Sequence, residues 1–166
     1  MKTKILGNRE FDQLAMKSMQ NDRGRLNINL HDDLEDPFQR MVVAIQPDSY
    51  VIPHRHSNPA KPECFVGLKG SIGLIIFDES GEIVRAIRLG PNEENQVCDL
   101  AAGTYHTAIA LEPNSVFLEA KPGPYSPIST EDVPAWAPAS NSATVRKYQE
   151  MLYGCFTGHH ACDDSE

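Results

Sequence analysis

The sequence predicts an all-β sandwich or barrel with a short helix near each end. The first observation is the strict alternation of residues 25–31, RLNINLH, where every second side chain is apolar, as in a strand with one buried face. The second is a series of short apolar segments separated by turn signals such as EPNS at 112–115. Strands of this length and spacing are typical of a sandwich or a barrel. The strands predicted after residue 31 are 40–46, 50–56, 63–69, 71–78, 83–89, 95–100, 104–111 and 115–121.

The segments outside these strands have different patterns. Residues 10–21 place apolar side chains at helical spacing, with Asn8 as the cap and Gly24 as the stop, which predicts a short amphipathic helix. Residues 122–140 are rich in proline and are expected to run along the barrel as an extended cover. Residues 142–153 return to helical spacing after a Ser/Asn cap, which predicts a C-terminal helix.

The length of 166 residues suits one domain with a real core. We expect a single domain over 1–166, with the barrel core at about 25–121, the cover at 122–140 and the helix and tail at 141–166. The net charge of −8 argues against nucleic acid as a partner, and the lack of an apolar run of about 20 residues argues against a membrane span. Without an apolar signal region or a CxxC pair, the chain is expected in the cytoplasm with reduced cysteines.

Two histidines and a glutamate stand close together in PHRHSNPAKPECFVGLKG, residues 53–70. In a strand, His54 and His56 would project to the same face, and the short excursion after them can return Glu63 beside them on the next strand. His106 follows a glycine turn and would complete a set of three imidazoles and one carboxylate. Such a set binds one divalent transition metal, with Zn, Fe, Mn and Ni all open, and leaves a position for water or substrate. The alternative is a group of surface residues with no shared role.

These residues also resemble known motifs. HRH at 54–56, Glu63 and Gly70 resemble the first motif of the cupin superfamily, and GTYH at 103–106 resembles the second. The resemblance implies a double-stranded β-helix, or jelly-roll, barrel that binds a metal at its mouth through the three histidines and the glutamate. It also implies a homodimer, because cupins often pair through barrel edges.

A closer resemblance runs from about Arg25 to Pro138. The segments RLNINLHDDLEDPFQRM, SYVIPHRH, FLEAKPGPY and PAWAP are similar to those of WbuC-type cupin metalloproteins. These are bacterial proteins often associated with surface-polysaccharide (O-antigen) gene clusters. The resemblance implies a carbohydrate-like small-molecule ligand, while it leaves the reaction undefined.

The polar face of the first strand could point into the barrel mouth and form a hydrogen-bonding wall for a hydroxyl-rich or anionic ligand. We predict Arg25, Asn29 and Gln39 as substrate-binding residues. His31 and Glu119 are predicted as acid/base residues near the metal. The alternative for each is a solvated surface residue.

The tail CFTGHHACDDSE contains Cys155, His159, His160 and Cys162 and could form a second metal site. It lacks the paired spacing of a structural zinc module, and its place at a terminus favours a polar tail without a site.

Three functions remain open at this level. The first is a metal-dependent enzyme acting on a sugar or sugar nucleotide in surface-polysaccharide synthesis, such as an isomerase or epimerase. The second is an Fe(II)-dependent oxygenase, which needs a dry pocket. The third is a non-catalytic, metal-dependent carbohydrate-binding or regulatory module. The fold alone does not separate them, because one fold carries many chemistries.

Overall fold

The computed structural model describes residues 3–57 and 59–157. Two helices and eight strands make up this part of the chain. In chain order they are α1 (Asn8–Met19), β1 (Arg25–Asn29), β2 (Phe38–Ile45), β3 (Glu63–Lys69), β4 (Ile72–Phe77), β5 (Ile83–Leu89), β6 (Val97–Leu100), β7 (Tyr105–Ala110), β8 (Ser115–Pro122) and α2 (Val145–Gly154).

The strands form two antiparallel sheets that face each other. The first has the order β1-β2-β8-β3-β6 and the second the order β5-β4-β7. One hydrophobic cluster joins them, with Val43 and Phe117 from the first sheet packed with Leu74 and Ala108 from the second. The predicted all-β jelly-roll barrel with a short helix near each end is therefore confirmed.

Strand β2 is buried on both faces, which explains why it reads as a nearly continuous apolar run. Val43 and Ile45 point into the barrel, while Val42 and Ala44 point outwards to α1. Leu14 of α1 covers that outer face and is only 3 % exposed. Burial of a leucine of this kind contributes about 1.5–3 kcal/mol to folding. The amphipathic pattern of the first helix thus packs against the back of the sheet that carries the site.

Two local predictions are corrected by the structure. Residues 50–56 do not form a strand, because only His54 makes a bridge, to His106 of β7. Pro53 in this segment interrupts a regular ladder, since proline cannot donate to it. The cap of α1 is Gly7, and Asn8 is the first helical residue; the Glu10 carboxylate accepts a hydrogen bond from the backbone N–H of Gly7 at 3.0 Å.

The chain after β8 returns along the second sheet. Trp136 packs on the rings of Phe77 and Tyr105, with centroid distances of 5.0 and 5.8 Å. Helix α2 then adds Leu152, which is fully buried in the same cluster. No helix in residues 3–57 or 59–157 is long and apolar enough to cross a bilayer.

One glycine in the first sheet is required by a close approach of two backbones. A Cβ atom at Gly67 would lie 2.6 Å from both the Cα and the N of Gly90. We expect Gly67→Ala to lower the free energy of unfolding by about 1–3 kcal/mol, because backbone atoms must move to make room. Gly154→Ala is the matched control, since nothing lies within 4 Å of its added Cβ. Urea unfolding of both variants checks this, and equal stabilities would contradict it.

Candidate metal centre

The four predicted metal ligands converge at one end of the barrel. Glu63 opens β3 and His106 lies near the start of β7. His54 reaches His106 through two backbone hydrogen bonds, His54 N to His106 O at 3.1 Å and His106 N to His54 O at 2.9 Å. His106 Nε2 lies 3.0 Å from Glu63 Oε2, and His56 Nε2 lies 3.4 Å from Glu63 Oε1. The glycine turn predicted before β7 is present, with Gly103 at φ 76°.

Two of the histidines have their ring orientation fixed by backbone carbonyls. His54 Nδ1 lies 2.9 Å from the carbonyl oxygen of Ile52, and His106 Nδ1 lies 3.0 Å from that of Thr104. A carbonyl only accepts, so Nδ1 carries the hydrogen and donates in both rings. In the neutral ring Nε2 then presents its lone pair to the interior, which is how metal-binding histidines are usually oriented.

The charge state of this end is set by burial and by close partners. Burial, and secondarily the neighbouring His106, lowers the pKa of His54 to about 3, so the ring is neutral near pH 7. Burial alone would raise the pKa of Glu63, but its close contacts with the His106 and His56 rings and the charge of Lys121 hold it well below its usual range. A buried carboxylate surrounded by imidazoles calls for a positive charge nearby.

That charge is supplied by Lys121, which the sequence reasoning missed. Its Nζ lies 2.8 Å from Glu63 Oε1, 3.1 Å from His56 Nε2 and 2.7 Å from Glu119 Oε1. Burial lowers its pKa, but the two carboxylates outweigh burial and raise the net value, so the ammonium stays protonated. The available signal was the period of two along β8, which places Lys121 on the same face as Glu119.

The donor chemistry fits a divalent metal, although the side chains are not yet arranged around an ion. Within the described residues, no group of three or more His, Cys, Asp or Glu side chains is spaced to hold one as it stands. We attribute this to Lys121, whose ammonium engages Glu63 Oε1 and the His56 ring. The His106 Nε2 and Glu63 Oε2 atoms oppose each other at 3.0 Å, and two acceptors at that distance need a proton or a metal cation between them.

A cavity of about 150 Å³ opens beside this cluster, between the two sheets. His54, Glu63, His106 and Glu119 line it, whereas His56 does not. The walls are apolar and come from Met41, Val43, Ile45, Phe65, Ala108 and Phe117. The site therefore combines a polar, buried end with a chamber whose walls are mainly apolar.

The other predicted site residues are only partly brought to this cavity. Arg25 lines it, and Glu119 lies at its inner end beside Lys121. Asn29 is exposed and accepts a hydrogen bond from Asn27, and neither Asn29 nor Gln39 nor His31 lines the cavity. The roles assigned to all these residues stay predictions.

Gln39 and His31 instead support a surface loop. The Gln39 amide donates to the carbonyl oxygens of Asp33, Leu34 and Asp36. His31 is 3 % exposed, and its Nδ1 accepts a hydrogen bond from the backbone N–H of Arg40 at 3.0 Å. Both side chains therefore hold backbone next to β2. In the tail, His159, His160 and Cys162 lie outside the described residues, so a second metal site there stays a prediction.

Comparison with solved structures finds distant likenesses. KdgF from Halomonas sp. is 18 % identical, with 61 % of this chain and 80 % of that chain covered and a TM-score of 0.45. A mutant of Bacillus subtilis oxalate decarboxylase OxdC is 18 % identical, with 67 % and 28 % covered and a TM-score of 0.47. An HTH_3 family transcriptional regulator from Vibrio cholerae is 14 % identical, with 69 % and 60 % covered and a TM-score of 0.49. This chain thus spans about a quarter of the decarboxylase, and such likenesses carry no argument about activity.

Comparison with the curated proteins gives no match. One family model does match the sequence, over residues 6–89, which is half of the chain. That stretch includes the first strand, both histidines of the HRH motif, and Glu63. On this match, the chain belongs to the family described as Domain of unknown function (DUF6016).

Proposed function

We propose that this chain is an Fe(II)-dependent oxygenase that acts on a small, largely apolar molecule. The observation that carries the proposal is that His54, His106 and Glu63 line an apolar cavity of about 150 Å³. Two histidines and one carboxylate with open positions are the ligand set of non-haem Fe(II) oxygenases. His56 is left out of the set because its Nε2 accepts a hydrogen bond from Lys121.

The residues around the cavity would hold the metal, exclude water and position the substrate. Backbone carbonyls already fix the His54 and His106 rings, so these side chains need little further ordering when a metal binds. The apolar walls keep bulk water away from the reacting end. When bound, Fe(II) supplies the one-electron chemistry that O₂ requires, and transfer of both oxygen atoms to the substrate balances without a further reductant.

Nitric oxide tests this proposal without knowledge of the substrate, because it binds in place of O₂ and gives Fe(II) a distinct paramagnetic signal. The protein is loaded anaerobically with one equivalent of Fe(II), exposed to nitric oxide and measured by electron paramagnetic resonance. We expect a spin-3/2 signal of near one spin per chain, retained in His56→Ala and lost in His106→Ala. An iron-loaded wild type without this signal would overturn the proposal.

A second candidate is a Lewis-acid isomerase or epimerase acting on a sugar in surface-polysaccharide synthesis. The Glu119 carboxylate lies 2.7 Å from the Lys121 ammonium, beside Glu63, and such a pair can deliver and accept a proton. The resemblance to WbuC-type cupins supports this role. The apolar walls and a volume that suits a benzene-sized molecule count against a whole sugar nucleotide in the cavity. Turnover supported by Zn²⁺ or Mn²⁺ without O₂ would favour this candidate.

A further inference from the structure

We infer that the cavity binds a small organic acid, with the acid group at Arg25 and Arg23 and the apolar body between the two sheets. The inference deepens the proposed function and rests on it, because it names the substrate class of the same cavity. It is carried by three observations: the charge at the open end, the charge at the inner end and the size of the space between them.

The open end of the cavity carries two guanidinium groups. Arg23 and Arg25 line it beside Asn27, and both Arg23 and Asn27 are exposed, which marks where the cavity meets solvent. Within residues 3–57 and 59–157, neither arginine forms an ion pair with a carboxylate, although the chain has 23 acidic residues. Guanidinium groups stay charged in proteins. The open end is therefore a cationic pair that lacks a counter-ion in this part of the chain.

Arg25 is also held in place. Its Nη1 donates to the carbonyl oxygen of Tyr50 at 2.9 Å and to Ser49 Oγ at 3.2 Å, and both acceptors are neutral. Burial, and secondarily the charge of Arg23, lowers the pKa of Arg25, as expected for a cation without a carboxylate beside it. The other N–H groups of the Arg25 guanidinium are suited to a carboxylate, which a guanidinium recognises through paired hydrogen bonds.

The inner end has the opposite sign. Glu63 and Glu119 share the single ammonium of Lys121, which leaves a net negative charge next to the histidines. In the metal-free protein, an anion in the cavity is repelled there and attracted by the arginines. The acid group is therefore oriented outwards, and the carbon atoms to be modified face His54 and His106.

The dimensions fit a short acid. Arg25 pairs with Ile45 in the sheet, while Glu119 pairs with Met41, four residues along β2. Along the strand direction that separation is about 13 Å, and the Arg25 and Glu119 side chains occupy part of it. An apolar space of about 150 Å³ takes up a benzene-sized body. A phenyl or short alkyl carboxylate meets both limits.

Benzoate and benzyl alcohol provide a matched pair of probes, because they share a ring and differ in charge. Isothermal titration calorimetry on chelator-treated protein removes metal coordination as a cause of binding. We expect benzoate to bind the wild type at least about tenfold more tightly than benzyl alcohol, since a charge-assisted hydrogen bond contributes roughly that factor or more. Ala108→Leu fills the chamber and should abolish binding of both.

Three further variants locate the acid group. Arg25→Met should bring the two affinities within about twofold, and Arg23→Gln should weaken benzoate alone about threefold to fivefold without touching the anchor at Tyr50. Arg146→Met is the control, because Arg146 is an exposed residue of α2 paired with Glu150.

Two results would overturn the inference. The first is tighter binding of benzoate than of benzyl alcohol that persists in both Arg25→Met and Arg23→Gln. The second is a benzoate preference that is lost in Lys121→Met and not in the arginine variants. Failure of the proposed function is a separate result. If the proposed function fails while this inference holds, benzoate binding still depends on Arg25, but the Fe(II)-loaded protein gives no nitrosyl signal.

Discussion

Replacing Lys121 with methionine is expected to destabilise the metal-free protein by about 3 kcal/mol, the usual cost of removing one partner of a buried ion pair. Methionine keeps much of the apolar stem and removes the ammonium. Glu63, which is 2 % exposed, and Glu119 would then face each other without the cation that they share. Thermal and urea unfolding after chelator treatment measure the loss.

The same variant should gain more than the wild type from a divalent metal. In the wild type, a metal has to compete with the ammonium for the Glu63 carboxylate, whose Oε1 accepts a hydrogen bond from Lys121, and in Lys121→Met it does not. We expect at least about tenfold tighter binding of the metal and recovery of most of the lost stability, because a ligand that binds only the folded state stabilises it.

A surface lysine provides the control for this experiment. Lys69 forms an ion pair with Asp12, and both side chains are well exposed to solvent. Lys69→Met should change stability by less than about 1 kcal/mol and leave metal affinity unchanged. Two results would contradict the view that the Lys121 ammonium takes the place of a metal in the metal-free protein. One is a Lys121→Met variant as stable as Lys69→Met, and the other is a Lys121→Met variant that metal does not stabilise.

Substitution of the three cavity-lining ligands is expected to have the largest effect on metal affinity. His54→Ala, His106→Ala and Glu63→Gln should each weaken binding more than about 100-fold, because loss of outer-shell partners alone costs roughly 10–100-fold. His56→Ala should cost less than about tenfold, since its ring lies outside the cavity and is engaged by Lys121. Competition titrations with a metal indicator measure all four.

Circular dichroism of each variant separates ligand loss from unfolding. The outcome for His56 decides between two ligand sets. If His56→Ala abolished binding as completely as His106→Ala, the metal would use all four residues and Lys121 would have to move away on binding. That result would return the site to the three-histidine set that the sequence motif implies.

The sequence predicted those parts of the fold that depend on regular repetition. Alternation in RLNINLH and the apolar segments after it gave the strands, and β3 and β5 begin and end where they were predicted, at 63–69 and 83–89. The strand predicted at 50–56 was wrong, because Pro53 and the single bridge at His54 leave irregular backbone there. His54 and His56 still lie close together, with ring centroids 5.3 Å apart, although the backbone that carries them is not a strand.

The site was predicted less completely, since it depends on which side chains meet across the sheets. The HRH motif, Glu63 and His106 were visible as local patterns. Lys121 was not, because nothing in FLEAKPGPY distinguishes a lysine paired with a distant Glu63 from one in solvent. Gln39 was assigned to the ligand by its type, whereas its amide holds loop carbonyls. Which side chains meet across neighbouring strands depends on the strand register, and the register is known only from the structure.

The central claim is that His54, His106 and Glu63 bind one metal ion. Its most direct test is elemental analysis of the protein purified without a metal-affinity tag and reconstituted anaerobically with Fe(II), beside His54→Ala/His106→Ala treated in the same way. The account predicts near one equivalent of iron per chain in the wild type and near none in the double variant. A wild type that retains no metal after reconstitution, or a double variant that retains as much, would contradict it.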